Sequence, residues 1–240
     1  LHIYAMQRTD KTWTCSASLA KKYKEKLGFD FPYIRNGVNV SRFTKPTDEQ
    51  KQNMRKKLGL PDNKTIFIYA GQFVPRKDQQ FLLEIFTENS KLQNDILLLL
   101  GDGADFPGLK ERFGQKSNVI MTGGVNNVNE YLQASDVYIA SSKSEGLPNG
   151  VLEAMAVGLP VILSDIEQHK EIYDADTRIG SLYKIGDKND CIEKISEMDG
   201  QKRAVCGSAA YACAHDKFSA ERMSREYQQE YLSVFDNKKN

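Results

Sequence analysis

Short apolar runs recur along the chain, and most are followed by glycine or charge and then by a stretch whose apolar residues return every three or four positions. Residues 65–70, 96–100, 118–122, 137–140, 160–163 and 181–184 read as strands, rich in Ile, Leu, Val and Tyr and bounded by turn residues. Segments 79–89, 106–113, 128–134, 149–157 and 189–198 carry the helical period and separate most of those strands. Parallel neighbours need a crossover that covers a sheet face, so this alternation predicts an α/β fold: a parallel sheet with helices on both faces. In such sheets ligands sit beyond the carboxyl ends of the strands. That places 71–77, 101–103, 123–125 and 141–150 on one rim, and these are also the segments richest in glycine and charge.

Outside the alternation, 13–16 and 31–35 read as two short strands around a helix at 18–27 that Gly28 stops. A charged helix at 48–58 ends on Gly59 and a turn at Pro61, Asp62 and Asn63. Two helices, 201–215 and 220–235, close the chain, the second capped by Ser219. There is no internal repeat, and only the polar tail from Asp236 is of low complexity.

Composition narrows the function class. With 33 Lys and Arg against 32 Asp and Glu the net charge is +1, which argues against nucleic-acid binding driven by bulk charge. No apolar run approaches the length of a membrane span. Cys15, Cys191, Cys206 and Cys213 form no C-x-x-C pair and no metal cluster with His2, His169 or His215, and Cys206 and Cys213 lie two turns apart on one helix, too far for a disulfide. They read as small apolar residues with reduced thiols, which fits a cytoplasmic location. The opening LHIYAMQRTD has neither the basic start nor the apolar run of a signal peptide, and a chain beginning at Leu1 is expected to be a piece of something longer.

The most chemically loaded stretch is SSKSEGLPNGVLEAMAVGLPVILSD, residues 141–165. A buried strand ends there, a turn follows, and a helix begins near Asn149 behind Pro148. The first N–H groups of that helix, Asn149 to Leu152 and so including Val151, lack intrahelical acceptors and suit a phosphate, while Gly150 lets a ligand come close. Glu153, four residues after Asn149, tilts back over the same helix start, and Glu145 reaches in from the loop. Carboxylates repel a phosphate but accept from paired sugar hydroxyls. A sugar nucleotide carries both kinds of group.

Glu145 and Glu153, eight apart inside SEGLPNGVLEAMAVGLPVI, resemble the signature of the retaining family 4 glycosyltransferases of the GT-B fold. The resemblance runs on through IFIYAGQFVPRK, ILLLLGDG, NVIMTGGV, YLQASDVYIASS and VILSDIEQHKEI, in the order of that family's donor-binding half. It implies a Rossmann-like C-terminal domain at 41–215, preceded at 1–40 by a remnant of the N-terminal acceptor domain with its hinge at Asn36-Gly37-Val38, and followed at 216–240 by a crossover helix and tail. The apolar stripe of that helix, Met223, Tyr227, Tyr231 and Val234, is then partly orphaned or repacked. The implied activity is sugar transfer from a UDP- or GDP-sugar with retention of configuration, in capsular, exopolysaccharide or other surface-glycan synthesis. A glycan or lipid-linked acceptor would be bound by the missing domain, and the isolated chain would bind donor but transfer poorly.

The same resemblance assigns roles. Glu145 matches the glutamate that meets the donor sugar's hydroxyls, Glu153 the one that holds the ribose diol, and Val125 the position whose backbone meets the base. Lys77 falls at the family's lysine. The family's arginine after Gly71 is replaced here by Gln72, and Arg76 is expected to supply the missing guanidinium. No Asp-x-Asp pair stands on the rim, Asp102 and Asp105 being three apart, so no metal and no other cofactor is expected, and Lys77 and Arg76 must offset the diphosphate charge. Each residue also has a plainer reading: Arg76 and Lys77 as the start of a solvated helix, Glu153 as a first-turn surface glutamate, Val125 as a loop valine. His169 reads as a surface histidine at a helix start. The runs Lys21, Lys22, Lys24, Lys26 and Arg55 to Lys57 read as solvated helix faces, with contact to the inner face of an anionic membrane as the alternative. Two further enzyme classes remain open. A sugar-nucleotide epimerase needs a carboxylate and a histidine across the cleft, and a Rossmann redox domain needs G-x-G-x-x-G where Gly71-Gln-Phe-Val-Pro stands. A non-catalytic nucleotide-sugar-binding module is a third possibility.

Overall fold

The computed structural model describes residues 9–237, so His2 and the tail beyond 237 lie outside the described residues. Six parallel strands form one sheet: β1 (Ile66–Ala70), β2 (Ile96–Leu100), β3 (Val119–Gly123), β4 (Val137–Ala140), β5 (Val161–Ser164) and β6 (Gly180–Tyr183). All lie within one residue of the segments read as strands. The residues of β2, β4 and β5 are buried throughout. Apart from Ser164 at the end of β5 they show no polar alternation, because helices cover both sheet faces.

The crossovers are α3 (Gln79–Glu88), α4 (Phe106–Phe113), α5 (Val128–Gln133), α6 (Asn149–Ala156) and α7 (Glu167–Tyr173), flanked by α1 (Ala17–Leu27) and α2 (Asp48–Leu58) before the sheet and by α8 (Lys188–Glu197), α9 (Gly200–Lys217) and α10 (Ala220–Asn237) after it. The sequence pattern did not resolve α7, a short polar helix, or the single turns Ser90–Leu92 and Thr177–Ile179. Ser219 does cap α10, its hydroxyl accepting from the Arg222 N–H at 3.3 Å.

Strand order is β3-β2-β1-β4-β5-β6. The winding therefore reverses between β1 and β4, which pair through Phe67 with Val137 and Ile68 with Tyr138. At such a reversal the loops leaving the two strands diverge and open a crevice. Below it the pair is pinned by Asp136. Its carboxylate accepts from the Ile66 N–H at 2.7 Å, from Arg55 Nη2 at 2.6 Å and from Lys51 Nζ at 2.6 Å. Arg55 is thus not part of a solvated face: it is 6% exposed and also donates to the carbonyls of Ala134, Pro61, Asp62 and Lys64. The charged run misled because one of its three cations is needed to satisfy carbonyls at the chain's return into the sheet.

The two N-terminal strands expected at 13–16 and 31–35 are not strands. Only an isolated bridge joins Thr14 to Tyr33, because the segments meet each other and no sheet edge. Glu171 of α7 holds this region down: its carboxylate accepts from the Ala17 and Ser18 N–H groups at the start of α1, at 3.0 and 2.9 Å, and from Arg35 Nε at 2.8 Å. The stripe on α10 is partly repacked. Trp13 lies edge-on to Tyr227 and Tyr231, and the Gly37 N–H donates to Met223 Sδ, while Tyr231, Leu232 and Phe235 remain exposed. Cys191, Cys206 and Cys213 are buried free thiols and Cys15 is half-buried. Among the described residues no helix is long and apolar enough to cross a membrane.

Candidate functional site

The loops leaving β1 and β4 face each other across the reversal, and hydrogen bonds stitch them together. Ser141 Oγ donates to the carbonyls of Lys77 and Asp78 at 3.0 and 2.8 Å, and the Lys143 N–H donates to the Arg76 carbonyl at 2.7 Å. Asp78 takes a left-handed backbone, φ 52°, and its carboxylate pairs with Lys143 Nζ at 2.8 Å. A non-glycine residue in that region is held there by its surroundings, here by the bonds that lock the two loops.

This stitching brings Arg76 and Lys77 onto Glu145. Arg76 Nη1 lies 2.8 Å from Glu145 Oε2, Lys77 Nζ pairs with Oε1, and Ser142 Oγ donates to Oε1 at 2.7 Å. The side chain of Glu145 is 5% exposed and that of Arg76 49%, so the triad runs from a buried carboxylate to a guanidinium at the surface. Burial alone would lift the Glu145 carboxyl, but Lys77, Ser142 and Arg76 hold it below its ordinary value.

The floor is made by two tyrosines. A side chain at Gly71 would meet the Tyr69 hydroxyl at 2.6 Å, and one at Gly150 would meet the Tyr138 hydroxyl at 2.7 Å and the Ala70 carbonyl at 2.9 Å. Glycine at both positions lets the rim loops settle onto those hydroxyls. Burial raises the Tyr138 hydroxyl, and the charges of Tyr69, Glu145 and Glu153 act on it in the same direction. Burial raises the Tyr69 hydroxyl too, with the charge of Glu145 acting in the same direction and Arg76 and the Ser142 hydroxyl against it.

Beside this floor α6 begins after Pro148 with no side-chain cap, leaving its first N–H groups unmatched by any side chain. Asn149 Oδ1 accepts from Asn36 Nδ2 at 3.1 Å, which ties the helix start to the N-terminal segment. Val151 is buried beneath it. Glu153, one turn on, is half-buried, and its carboxyl is raised by burial against the opposing charge of Arg42. Two sequence candidates stand apart. Gln72 is exposed and contributes only its carbonyl, an acceptor for Gln79. Val125 follows β3, two strands from β1, and packs its side chain on the core. Among the described residues no cluster of three or more His, Cys, Asp or Glu is placed to hold a metal ion.

His169 corrects the sequence reading. It is not a surface residue but fully buried, with Nδ1 2.8 Å from the Ser164 carbonyl oxygen and 3.1 Å from Ser164 Oγ. A polar helical segment gave no warning, because α7 packs against β6 and turns this position onto Ser164 at the end of β5. Burial pushes its imidazole from 6.5 down to about 4. The unfolded chain therefore takes up a proton below pH 6.5 that the folded chain refuses until about 4. Its contribution to stability is complete above 6.5 and is lost as pH falls between those values. Urea denaturation is expected to show about 2 kcal/mol less stability from this group at pH 5 than at pH 7. A folded His169→Asn variant is expected to lose that slope, and an equal slope in the variant would refute the assignment.

Comparison with known proteins adds the family context. A model of glycosyl transferases, group 1, matches residues 50–212. UDP-Gal:alpha-D-GlcNAc-diphosphoundecaprenol alpha-1,3-galactosyltransferase of Escherichia coli is 29% identical over 193 residues, covering 72% of this chain and 49% of that protein. N-acetyl-alpha-D-glucosaminyl L-malate synthase of Bacillus anthracis is 25% identical over 245 residues, covering 99% of this chain and 63% of that protein. The chain spans less than two thirds of the length of either relative. Among solved structures, Anabaena HepE in complex with UDP and glucose superposes with a TM-score of 0.85 at 20% identity over 95% of this chain and 65% of that one. Sucrose-phosphate synthase of Thermosynechococcus elongatus gives 0.84 at 21% identity, over 98% of this chain and 61% of the other.

Proposed function

Since the chain belongs to the group 1 glycosyl transferases and has the Rossmann-like parallel sheet of a GT-B C-terminal domain, we propose that it is the donor-binding half of a retaining, family 4 enzyme acting in surface-glycan synthesis. The carrying observation is the meeting of Arg76, Lys77 and Glu145 at the strand reversal, beside the uncapped start of α6 and Glu153. In this reading the diphosphate of a UDP- or GDP-sugar lies against the N–H groups of Asn149 and Gly150, the Val151 N–H being turned onto the Pro148 carbonyl at 3.1 Å, with Lys77 and Arg76 offsetting its charge. Glu145 takes hydroxyls of the sugar and Glu153 the ribose diol, while the backbone at Val125 meets the base.

As the bond from the anomeric carbon to the diphosphate oxygen breaks, negative charge grows on that oxygen, and the two cations and the helix start lower the barrier by meeting it. The acceptor hydroxyl then bonds to the anomeric carbon on the face the diphosphate leaves, and its proton passes to the departing phosphate oxygen. No side chain of this chain serves as a covalent nucleophile. Residues 1–40 belong to the acceptor domain and hinge, and 216–240 form the crossover helix and tail that return to it. The acceptor, a glycan or lipid-linked glycan, is held by the remainder of a longer protein, so this chain alone binds donor and transfers poorly. The free thiols fit a cytoplasmic site, and the inner face of the membrane is where a lipid-linked acceptor would be presented.

A thermal-shift panel of UDP-, GDP- and ADP-sugars and NAD tests the reading. A ligand at a hundred times its Kd is expected to add about 2.7 kcal/mol and to raise the melting temperature by roughly 5–10 °C. One nucleotide-sugar class should do so. Stabilisation by NAD alone, or by none of them, would overturn the proposal.

A further inference from the structure

Behind Glu145 runs a hydrogen-bonded chain whose proton directions are fixed. The Ser164 carbonyl can only accept, so His169 carries its proton on Nδ1 and shares it between that oxygen, at 2.8 Å, and Ser164 Oγ, at 3.1 Å. Ser164 Oγ, thus supplied, donates its own proton to the Ser142 carbonyl at 2.6 Å. Ser142 Oγ donates in turn to Glu145 Oε1 at 2.7 Å. Ser142, Ser164 and His169 are almost fully buried. Water cannot replace a broken link there, and a shifted loop would strand a donor. Glu145 and Lys77 stand close enough for their charges to act on the imidazole.

His169 is a poor choice as mere filler. Its Nε2 is buried with no partner among the described residues, a defect that leucine would avoid. The side chain is explained by what Nδ1 does.

We propose that His169 and Ser164 are positioning residues that fix the 141–147 loop, and so hold the Glu145 carboxylate against Lys77 and Arg76, from the buried side of β5. The last step, that Glu145 meets a donor sugar, rests on the function proposed above; the loop's dependence on His169 does not.

Three substitutions separate this from simple packing. Asparagine places an amide nitrogen near the site of Nδ1, glutamine places one near Nε2, and leucine supplies none. Hydrogen exchange of residues 141–147 in the ligand-free protein reads the loop, and calorimetric titration with the UDP-sugar or GDP-sugar that stabilises the wild type reads the site. Both His169→Leu and His169→Gln are expected to speed loop exchange and weaken binding roughly tenfold, the effect of one lost hydrogen bond. His169→Asn is expected to stay within about twofold of wild type in both. Ser164→Ala removes the donor to Ser142 without touching the histidine and should reproduce the fast loop exchange, so it decides the matter if the leucine variant does not fold. Unchanged loop exchange in folded His169→Leu or in Ser164→Ala, or rescue by glutamine equal to that by asparagine, would overturn the proposal. Wild-type protein that binds no nucleotide sugar, with the exchange pattern as expected, would sink the donor-site reading and uphold the positioning role.

Discussion

Replacing Asp136 by alanine is expected to remove about 3–5 kcal/mol of folding stability, because it leaves the Arg55 guanidinium buried without its counter-charge. For a chain of this size that lowers the melting temperature by roughly 6–20 °C. Three donors converge on this carboxylate, and the partner it abandons is 6% exposed and bonded on its other edges to four carbonyls, so Arg55 cannot turn to water. Burial would raise the Asp136 carboxyl, yet Lys51, the Ile66 N–H and Arg55 hold it below its ordinary value. The linkage runs the usual way for a carboxylate: the stability is present above the ordinary Asp range and is lost on acidification below it. Lys51→Ala, which removes a more solvated partner, should cost no more than about 1 kcal/mol. A paired Arg55→Leu and Asp136→Leu exchange should fall well short of the sum of the singles, since neither charge is then stranded. A loss under about 1 kcal/mol for Asp136→Ala would show that the network is replaceable. The same carboxylate seats β4 against β1, and the site stands on that strand pair.

Lys77→Ala should weaken binding of the stabilising nucleotide sugar about 10- to 100-fold by calorimetry, the range of a charge-assisted hydrogen bond. More than a contact is lost. Lys77 is the less exposed of the two cations on Glu145, 13% against 49% for Arg76, and without it a buried carboxylate faces the incoming diphosphate with only Arg76 to offset it. Arg76→Ala should cost less, roughly two- to fivefold, because solvent already screens that guanidinium. Gln72→Ala should change little, since only its backbone is engaged. Binding within threefold of wild type for a folded Lys77→Ala protein would remove Lys77 from the donor site. If Arg76→Ala were silent while Gln72→Ala abolished binding, the guanidinium would not have moved along the loop as proposed.

Much of this was legible in the residues. Strand runs such as Ile96 to Leu100 announce themselves because a strand covered on both faces admits no polar alternation. Gly28 and Gly59 end α1 and α2 with positive φ, as stop signals should. The spacing of Glu145 and Glu153 across a helix start marked the rim. Three features were not legible. Arg55 sits in a run of cations and reads as surface until Ala134 and Asp136, some eighty residues away, are brought beside it. His169 lies in a polar segment whose period gives no inward face, and only its seat on β5 buries it. The 13–16 and 31–35 segments have strand composition but meet only each other, at one isolated bridge, and composition does not report pairing.

By itself the sequence determined the six strands of the sheet and where each exits, because periodicity, caps and turn residues act over a few neighbours. Only the tertiary structure decided that β4 pairs with β1 on one edge and β5 on the other, away from β3, and with that which loops face each other, which charges are buried inside and which serines line up behind Glu145. Strand pairing and the burial of polar groups are set by partners distant in sequence, whose fit is an energy of the whole packed sheet and leaves no local period to read.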